Sequence, residues 1–287
     1  MNCLVYHIAC GQSFFSGVVL VIIAAIASTR PKPIAKRIAV LAFLLGAIAI
    51  TISSTAIPYW YYAVAVCATA AWAISAWLKK WRRWTPFAVI AAWGIAAGIE
   101  APYHITPTLQ PAPSRTVTVI GDSITAGLGD SDKSERWPEI LAREHDLDVQ
   151  DISHVGETSA SALKRAKDQG IRSSVVVLEI GGNDLLGSTS SAQFARDLDA
   201  LLAQVCTPER QVLMFELPLP PFNHEYGRIQ RSLARKYNVS LAPKRILLSI
   251  LAASDSTVDT IHLTQAGQQR MAESVWRLLS PVFPAKD

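Results

Sequence analysis

Acidic side chains are nearly missing from the first part of this 287-residue chain. Residues 1–110 hold one acid, Glu100, against eight lysines and arginines, a balance of +7. Residues 111–287 hold twenty-two acids and nineteen bases, a balance of −3, and the two parts sum to the +4 of the whole. The cations of the first part sit in two short loops between apolar segments, which excludes a nucleic-acid footprint. Cysteine is also scarce: Cys3, Cys10, Cys67 and Cys206. Only Cys206 lies in the polar part, so that part has no internal disulfide. No Cys/His spacing resembles a metal site. His7 to Cys10 is a poor lipoprotein signal, because no apolar run precedes it. Cys67 lies in an apolar run and reads as a small core residue. There is no internal repeat and no low-complexity tract.

Long apolar runs fill the first hundred residues instead. They cover 14–28 (longer if the uncharged 3–12 joins it), 38–57, 59–78 and 86–99. A bilayer core of roughly 30 Å needs about 20 helical residues. The second and third runs fit, the first fits if extended, and the fourth fits only by including 101–105, with Glu100 near its end. Any one run could be a buried core helix. Four in succession predict about four transmembrane helices, and a cleaved signal peptide would explain only the first. Arg30, Lys32, Lys36 and Arg37 follow the first run, and Lys79, Lys80, Arg82 and Arg83 follow the third. Positive loops stay cytoplasmic, so the chain is expected to start outside and to deliver residue 106 onward outside. That makes the bilayer a partner, and the cytoplasmic membrane the expected location. Trp60, Tyr61, Tyr62, Trp77, Trp81 and Trp84 read as interfacial aromatics. Trp72 and Trp93, mid-run, read as packing residues. Pro107, Pro111 and Pro113 make 106–115 a semi-rigid extended linker. The expected domains are therefore 1–105, 106–115 and 116–287.

From Arg115 the texture changes. Short β-branched runs predict strands at 116–120, 148–152, 174–180, 211–216 and, weakly, 239–241. Amphipathic segments predict helices at 137–145, 159–169, 192–205, 225–237 and 265–279, the last N-capped by Thr264. The alternation implies an α/β domain with a parallel sheet covered on both faces. About 170 residues suffice for one such domain.

Within it, Thr116 to Gly127 reads T-V-T-V-I-G-D-S-I-T-A-G. A buried strand stops at Gly121, which leaves Ser123 at the rim of the sheet, where open α/β sheets bind ligands. A helix starting at Ile124 would point N–H groups back at the serine and favour negative charge there. An ester-cleaving serine needs a base, an orienter for the base, and donors for an oxyanion. Asp259 and His262, three residues apart before the final helix, suit the first two roles or form an exposed turn. Gly181-Gly182-Asn183-Asp184 offers a side-chain amide after the third strand, and Gly156 a bare backbone N–H after the second. Each of these is also an ordinary turn sequence. The other histidines, His145, His154 and His224, show no pairing logic. Glu179 and Glu216, at or near strand ends, either tune the site or are structural acids, and the structural reading is preferred. The apolar loop with Leu217, Leu219 and Phe222 either lines an acyl pocket or is simply packed.

Taken together, the blocks resemble the SGNH (GDSL) hydrolase family. They are Gly121-Asp122-Ser123-Ile124-Thr125-Ala126-Gly127, Gly156, Gly182-Asn183-Asp184 and Asp259-Thr260-Ile261-His262. Arg136-Trp137-Pro138, the run from Leu178 to Asp184, and the run from Leu217 to Pro221 resemble its bacterial thioesterase/lysophospholipase/arylesterase branch. The resemblance covers about residues 116–280. It implies a flavodoxin-like, five-stranded parallel sheet and no cofactor. It further implies Ser123 as nucleophile, His262 as base and then acid, and Asp259 as orienter. The Ser123 and Gly156 N–H groups and the Asn183 amide would bind the oxyanion. Two positions depart from the family pattern: Asp151 and His154 flank a place usually held by asparagine, and Thr260 stands where glycine is usual. The function expected is a membrane-anchored serine ester hydrolase, with a lysophospholipid-like or O-acylated glycan substrate. An acyltransferase to envelope glycans and a non-catalytic module keeping the fold are the competing readings.

Overall fold

A computed structural model describes residues 1–78, 84–128, 134–259 and 261–283. The chain divides into two compact units. One is Cys3–His104 with Pro218–His224; the other is Met1–Asn2, Ile105–Leu217 and Glu225–Asp287.

The first unit is helical: α1 (Cys3–Ala9), α2 (Gln12–Ser28), α3 (Pro33–Ile52), α4 (Tyr59–Leu78) and α5 (Thr85–Glu100), which runs on into a 3-10 turn at Ala101–His104. Pro33 and Pro86 sit in first turns, where their missing N–H groups are not needed. Two helical segments are long and apolar enough to cross a membrane, Pro33–Ile52 and Thr85–His104. The first apolar run is not a straight span. Gly11 takes a left-handed φ of 83°, and α1 and α2 meet at a bend of 87°. A residue in that conformation cannot continue a right-handed helix. Counting the bent pair gives three candidates by length and composition, and α4, opened by four aromatic residues, is not among them. The expected four spans are thus corrected to two or three among the described residues.

Where α2 crosses α3, glycine sets the distance. A Cβ on Gly17 would lie 2.7 Å from Ile50 Cγ1, and one on Gly46 would lie 2.8 Å from the Gly17 carbonyl oxygen. Small residues let apolar helices approach this closely. Trp72 and Trp93 are buried packing residues, as expected, with Nε1 donating to Ser28 Oγ (3.1 Å) and Thr69 Oγ1 (2.9 Å). Tyr59, Trp60 and Trp84 are exposed at helix ends, but Tyr61 is buried, its hydroxyl donating to the Ala92 carbonyl at 2.8 Å. Cys67 is exposed on α4, not a core residue. The second basic loop, Lys79, Lys80, Arg82 and Arg83, lies outside the described residues, as do Trp81 and the side chain of Trp77.

The second unit is α/β. Its elements are β1 (Thr116–Gly121), α6 (Ser123–Ala126), α7 (Trp137–His145), β2 (Asp148–Asp151), α8 (Ser159–Gln169), β3 (Val175–Glu179), α9 (Gly182–Leu186), α10 (Ser191–Val205), β4 (Gln211–Phe215), α11 (His224–Lys236), β5 (Ser240–Ala242), α12 (Lys244–Leu251) and α13 (Gln265–Leu279). The strands form one parallel sheet in the order β2-β1-β3-β4-β5. Period-two alternation sorts its side chains. Val117, Val119, Val175, Val177, Leu213 and Phe215 share a core with Trp137 and Ile140 of α7, Leu247 of α12, and Met271 and Val275 of α13. On the other face Thr118, Val176 and Leu178 are equally buried. There α8 packs beside β1, and α10 packs on α8. The expected flavodoxin-like, three-layer fold is observed.

The proline-rich segment 106–115, expected to be an extended linker, packs on the unit that follows it. Leu109 is buried in the core, Ala112 N–H donates to the Val282 carbonyl (3.0 Å), and Gln110 and Gln211 exchange two hydrogen bonds of 2.6 and 2.8 Å. Its three prolines fix an extended backbone, and that backbone lies along the unit that follows it.

Candidate active site

The sheet order places β1 between β2 and β3, so connections leave it in opposite directions and a crevice opens at the carboxyl ends of β1 and β3. Ser123 stands at that edge, in the first turn of α6. The turn is tight because residue 121 is glycine: a Cβ there would lie 2.3 Å from Thr125 Oγ1. Asp122 caps the turn, its Oδ1 accepting from Ile124 N–H at 3.0 Å. Trp137, fully buried, braces it by donating Nε1–H to Thr125 Oγ1 at 3.2 Å.

His262 reaches Ser123 from the loop before α13. Its Nε2 lies 3.1 Å from Ser123 Oγ, and its Nδ1 lies 2.7 Å from Asp259 Oδ2. An ionised carboxylate only accepts, so Nδ1 carries the proton and Nε2 is left to accept from the serine hydroxyl. The other oxygen of Asp259 accepts the backbone N–H groups of His262 (2.9 Å) and Ile261 (3.1 Å). The backbone bond from His262, then its ring, then the Ile261 N–H hold the Asp259 carboxyl down at about 2, although it is solvent-exposed. The three residues expected to act together do meet.

Gly156 and Asn183 follow β2 and β3. Gly156 has a left-handed φ of 73° and open space where a Cβ would be, so its turn presents bare backbone. Asn183 Nδ2 lies 3.0 Å from the Glu157 carbonyl oxygen and 3.3 Å from Asp122 Oδ2, tying together the loops after β1, β2 and β3. His154 N–H adds a bond to the Gly121 carbonyl at 3.1 Å. Asp184 is buried and accepts from both the N–H and the hydroxyl of Ser159 at the start of α8.

Glu179 belongs to this site more closely than its place in the sequence suggests. Strand register sets it opposite Gly121. Its Oε2 accepts from Thr125 Oγ1 (3.0 Å) and from Asp122 N–H (3.3 Å). Complete burial, and then the charge of Asp122, push its carboxyl well above the usual glutamate range. Burial raises Asp122 as well. Burial thus disfavours the ionised form of Glu179, and its two accepted bonds support the serine turn. Glu216, by contrast, is a structural acid, buried against Arg231 (2.6 Å) and Lys244 (3.7 Å).

Asp151, one of the departures, accepts from Ser153 N–H at 2.9 Å and pairs with Arg136 at 3.3 Å. Thr260, the other, lies outside the described residues. Of the three apolar loop residues, Leu217 is buried and backs Gly181, its Cδ1 lying 3.0 Å from where a Cβ would stand. Leu219 and Phe222 belong to the helical unit. His145 stacks on Trp276, with ring centroids 3.9 Å apart, and is not part of the site.

Residues 119–270 match the GDSL-like lipase/acylhydrolase family. The chain is 30% identical over 188 residues to the esterase TesA of Pseudomonas aeruginosa, a match covering 61% of this chain and 92% of that protein. It is 27% identical over 184 residues to thioesterase 1/protease 1/lysophospholipase L1 of Escherichia coli, covering 61% of this chain and 88% of the relative. The crystal structure of TesA superposes with a TM-score of 0.51 at 30% identity, over 58% of this chain and 99% of that one. The psychrotrophic esterase EstA of Pseudoalteromonas, inhibited by monoethylphosphonate, shares the fold at 20% identity, with a TM-score of 0.52 over 58% of this chain and 97% of that one.

Proposed function

The chain belongs to the GDSL-like lipase/acylhydrolase family, and from that premise we propose that it is a membrane-anchored serine ester hydrolase working through an acyl-serine intermediate. The observation that carries this reading is the continuous relay from Ser123 Oγ through the His262 ring to Asp259.

Ser123 Oγ attacks the carbonyl carbon of the ester while His262 Nε2 takes the hydroxyl proton. Asp259 holds the ring and stabilises the imidazolium. The carbonyl oxygen becomes an oxyanion, received by the backbone N–H groups of Ser123 and Gly156 and by Asn183 Nδ2. The longer of the two bonds made by Asn183, the 3.3 Å contact to Asp122, is the one such an oxyanion replaces. Collapse expels the alcohol, which takes the proton from His262. Water, deprotonated by the same ring, then cleaves the acyl-serine. This intact relay weighs against a non-catalytic module.

The apolar helices Pro33–Ile52 and Thr85–His104 support the anchor. Arg30 and Lys32 before α3, with Lys36 and Arg37 in its first turns, favour the cytoplasmic side for that end of the helix. A bilayer setting favours amphiphilic esters, of the lysophospholipid kind named for the Escherichia coli relative, or O-acyl groups on envelope glycans.

A fluorophosphonate probe on the full chain tests the chemistry. Labelling confined to Ser123, with Ser123→Ala losing both label and hydrolysis of p-nitrophenyl butyrate, is the expected result. Unchanged turnover in that variant would overturn it.

A further inference from the structure

The helical unit contains a cleft of about 540 Å³. Its volume falls within the range of small-molecule sites, about 300–1,000 Å³. Phe43 and Ala47 of α3 form one wall, and Val66, Ala70 and Ala73 of α4 form the other. Elsewhere in the unit α2 and α3 close on each other over glycine; here the alanines leave a slot. The hydroxyls along it are already engaged. Thr51 Oγ1 donates to the Ala47 carbonyl (2.8 Å). Thr69 Oγ1 donates to the Ala65 carbonyl (2.7 Å) and accepts from Trp93 Nε1 (2.9 Å). What the slot offers a ligand is aliphatic and aromatic surface.

Its edge is set by Pro218–His224, a segment between β4 and α11 that packs with the helices. Leu219 N–H donates to Ser54 Oγ at 2.8 Å, and His224 Nε2 lies 2.7 Å from the Ser53 carbonyl oxygen. Between these two pins Phe222 lines the cleft, is 77% exposed, and has a φ of 70°. Bulky residues rarely adopt that left-handed conformation, and such strain gathers at ligand clamps.

We propose that this cleft binds one acyl chain of a membrane lipid, with the Phe222 loop at its mouth. Polar side chains are a minority of the lining, which suits an apolar ligand better than a polar one. A branched or polycyclic one would not suit a slot floored by alanines. Lipid tails are the apolar molecules at hand for a unit whose α3 and Thr85–His104 segments are of spanning length. The site needs nothing from Ser123, so its test is separable from the catalytic reading.

The test uses full-length Ser123→Ala protein in phosphatidylcholine nanodiscs, with lysophosphatidylcholine carrying a diazirine in its acyl chain. Cross-links are mapped by peptide mass spectrometry. Label should concentrate on α3 and α4 residues of the cleft, saturate, and be displaced by unlabelled lysophosphatidylcholine. Ala70→Trp should cut the saturable label at least tenfold. Ala47→Leu provides the same readout should the tryptophan variant fail to fold. Ile48→Trp, on the exposed side of α3, should leave the label unchanged. Label spread over the outward faces without saturation, or saturable label that survives slot filling in a folded variant, overturns the proposal.

Discussion

Glu179 Oε2 lies 3.0 Å from the hydroxyl of Thr125, two residues past Ser123, and burial raises the pKa of the carboxyl that accepts this bond well above the usual glutamate range. The serine turn is thus supported from beneath by a carboxyl whose ionisation the fold resists. A raised carboxyl pKa means that the folded state holds a proton the unfolded state releases. The associated stability is fully present below the ordinary glutamate value, about 4.3, and is lost as pH rises through the raised folded value. Glu179→Gln keeps the acceptor and removes the titration. The variant should melt above wild type at pH 8, with the two converging near pH 4. Melting curves across pH 4–9 check this, and a difference independent of pH would contradict it.

Asp259 titrates in the opposite sense. Its pKa is depressed to about 2, so its contribution is present above the unfolded aspartate value of about 3.9 and is lost as pH falls through about 2. Fluorophosphonate labelling rates should therefore show no inflection near pH 4 that belongs to Asp259. Asp259→Asn should lower kcat by up to about 10,000-fold through the wrong ring tautomer, with little change in KM. Equal activity in the two proteins would remove Asp259 from the relay.

Asn183 is expected to act on the oxyanion more than on ground-state binding. Asn183→Ala should reduce kcat by about 100- to 1,000-fold. The side chain also ties the loops after β1 and β2 together, so a thermal melt must accompany the kinetics. A variant that melts normally and loses only KM would assign Asn183 to substrate binding instead.

Gly46 tests the helical unit. A Cβ there lies 2.8 Å from the Gly17 carbonyl oxygen, and backbone cannot give way as a flexible side chain can. Gly46→Val should force α2 and α3 apart and lower the melting temperature of the detergent-solubilised protein. Gly94→Val, whose Cβ meets nothing within 4 Å, is the matched control and should lack that effect.

The sequence made some of these elements plain and hid others for physical reasons. The start of α13 was readable from local punctuation, with Thr264 as its cap, and the spans of α7 and α8 from their amphipathic patterns. Ser123, Asp259 and His262 were legible because each stands at a strand end or before a helix in a specific motif. By contrast α9 has five residues, too few to show a helical period, and α12 is a short apolar run directly after an edge strand. Gly11 breaks the first apolar run through its backbone torsion, which composition does not report. The role of Glu179 depends on its register opposite Gly121, a pairing across 58 positions of chain. The docking of residues 218–224 depends on Ser53 and Ser54, which no local pattern links to that loop.

Leu109 and the Gln110–Gln211 exchange bear on how the catalytic half could be excised for study. A fragment opened at residue 116, where β1 starts, would leave a hydrophobic notch where Leu109 packs and would lose the two hydrogen bonds between Gln110 and Gln211. Beginning at 105 retains them, so the natural cut site lies just after the last turn of the final apolar helix rather than at the first strand.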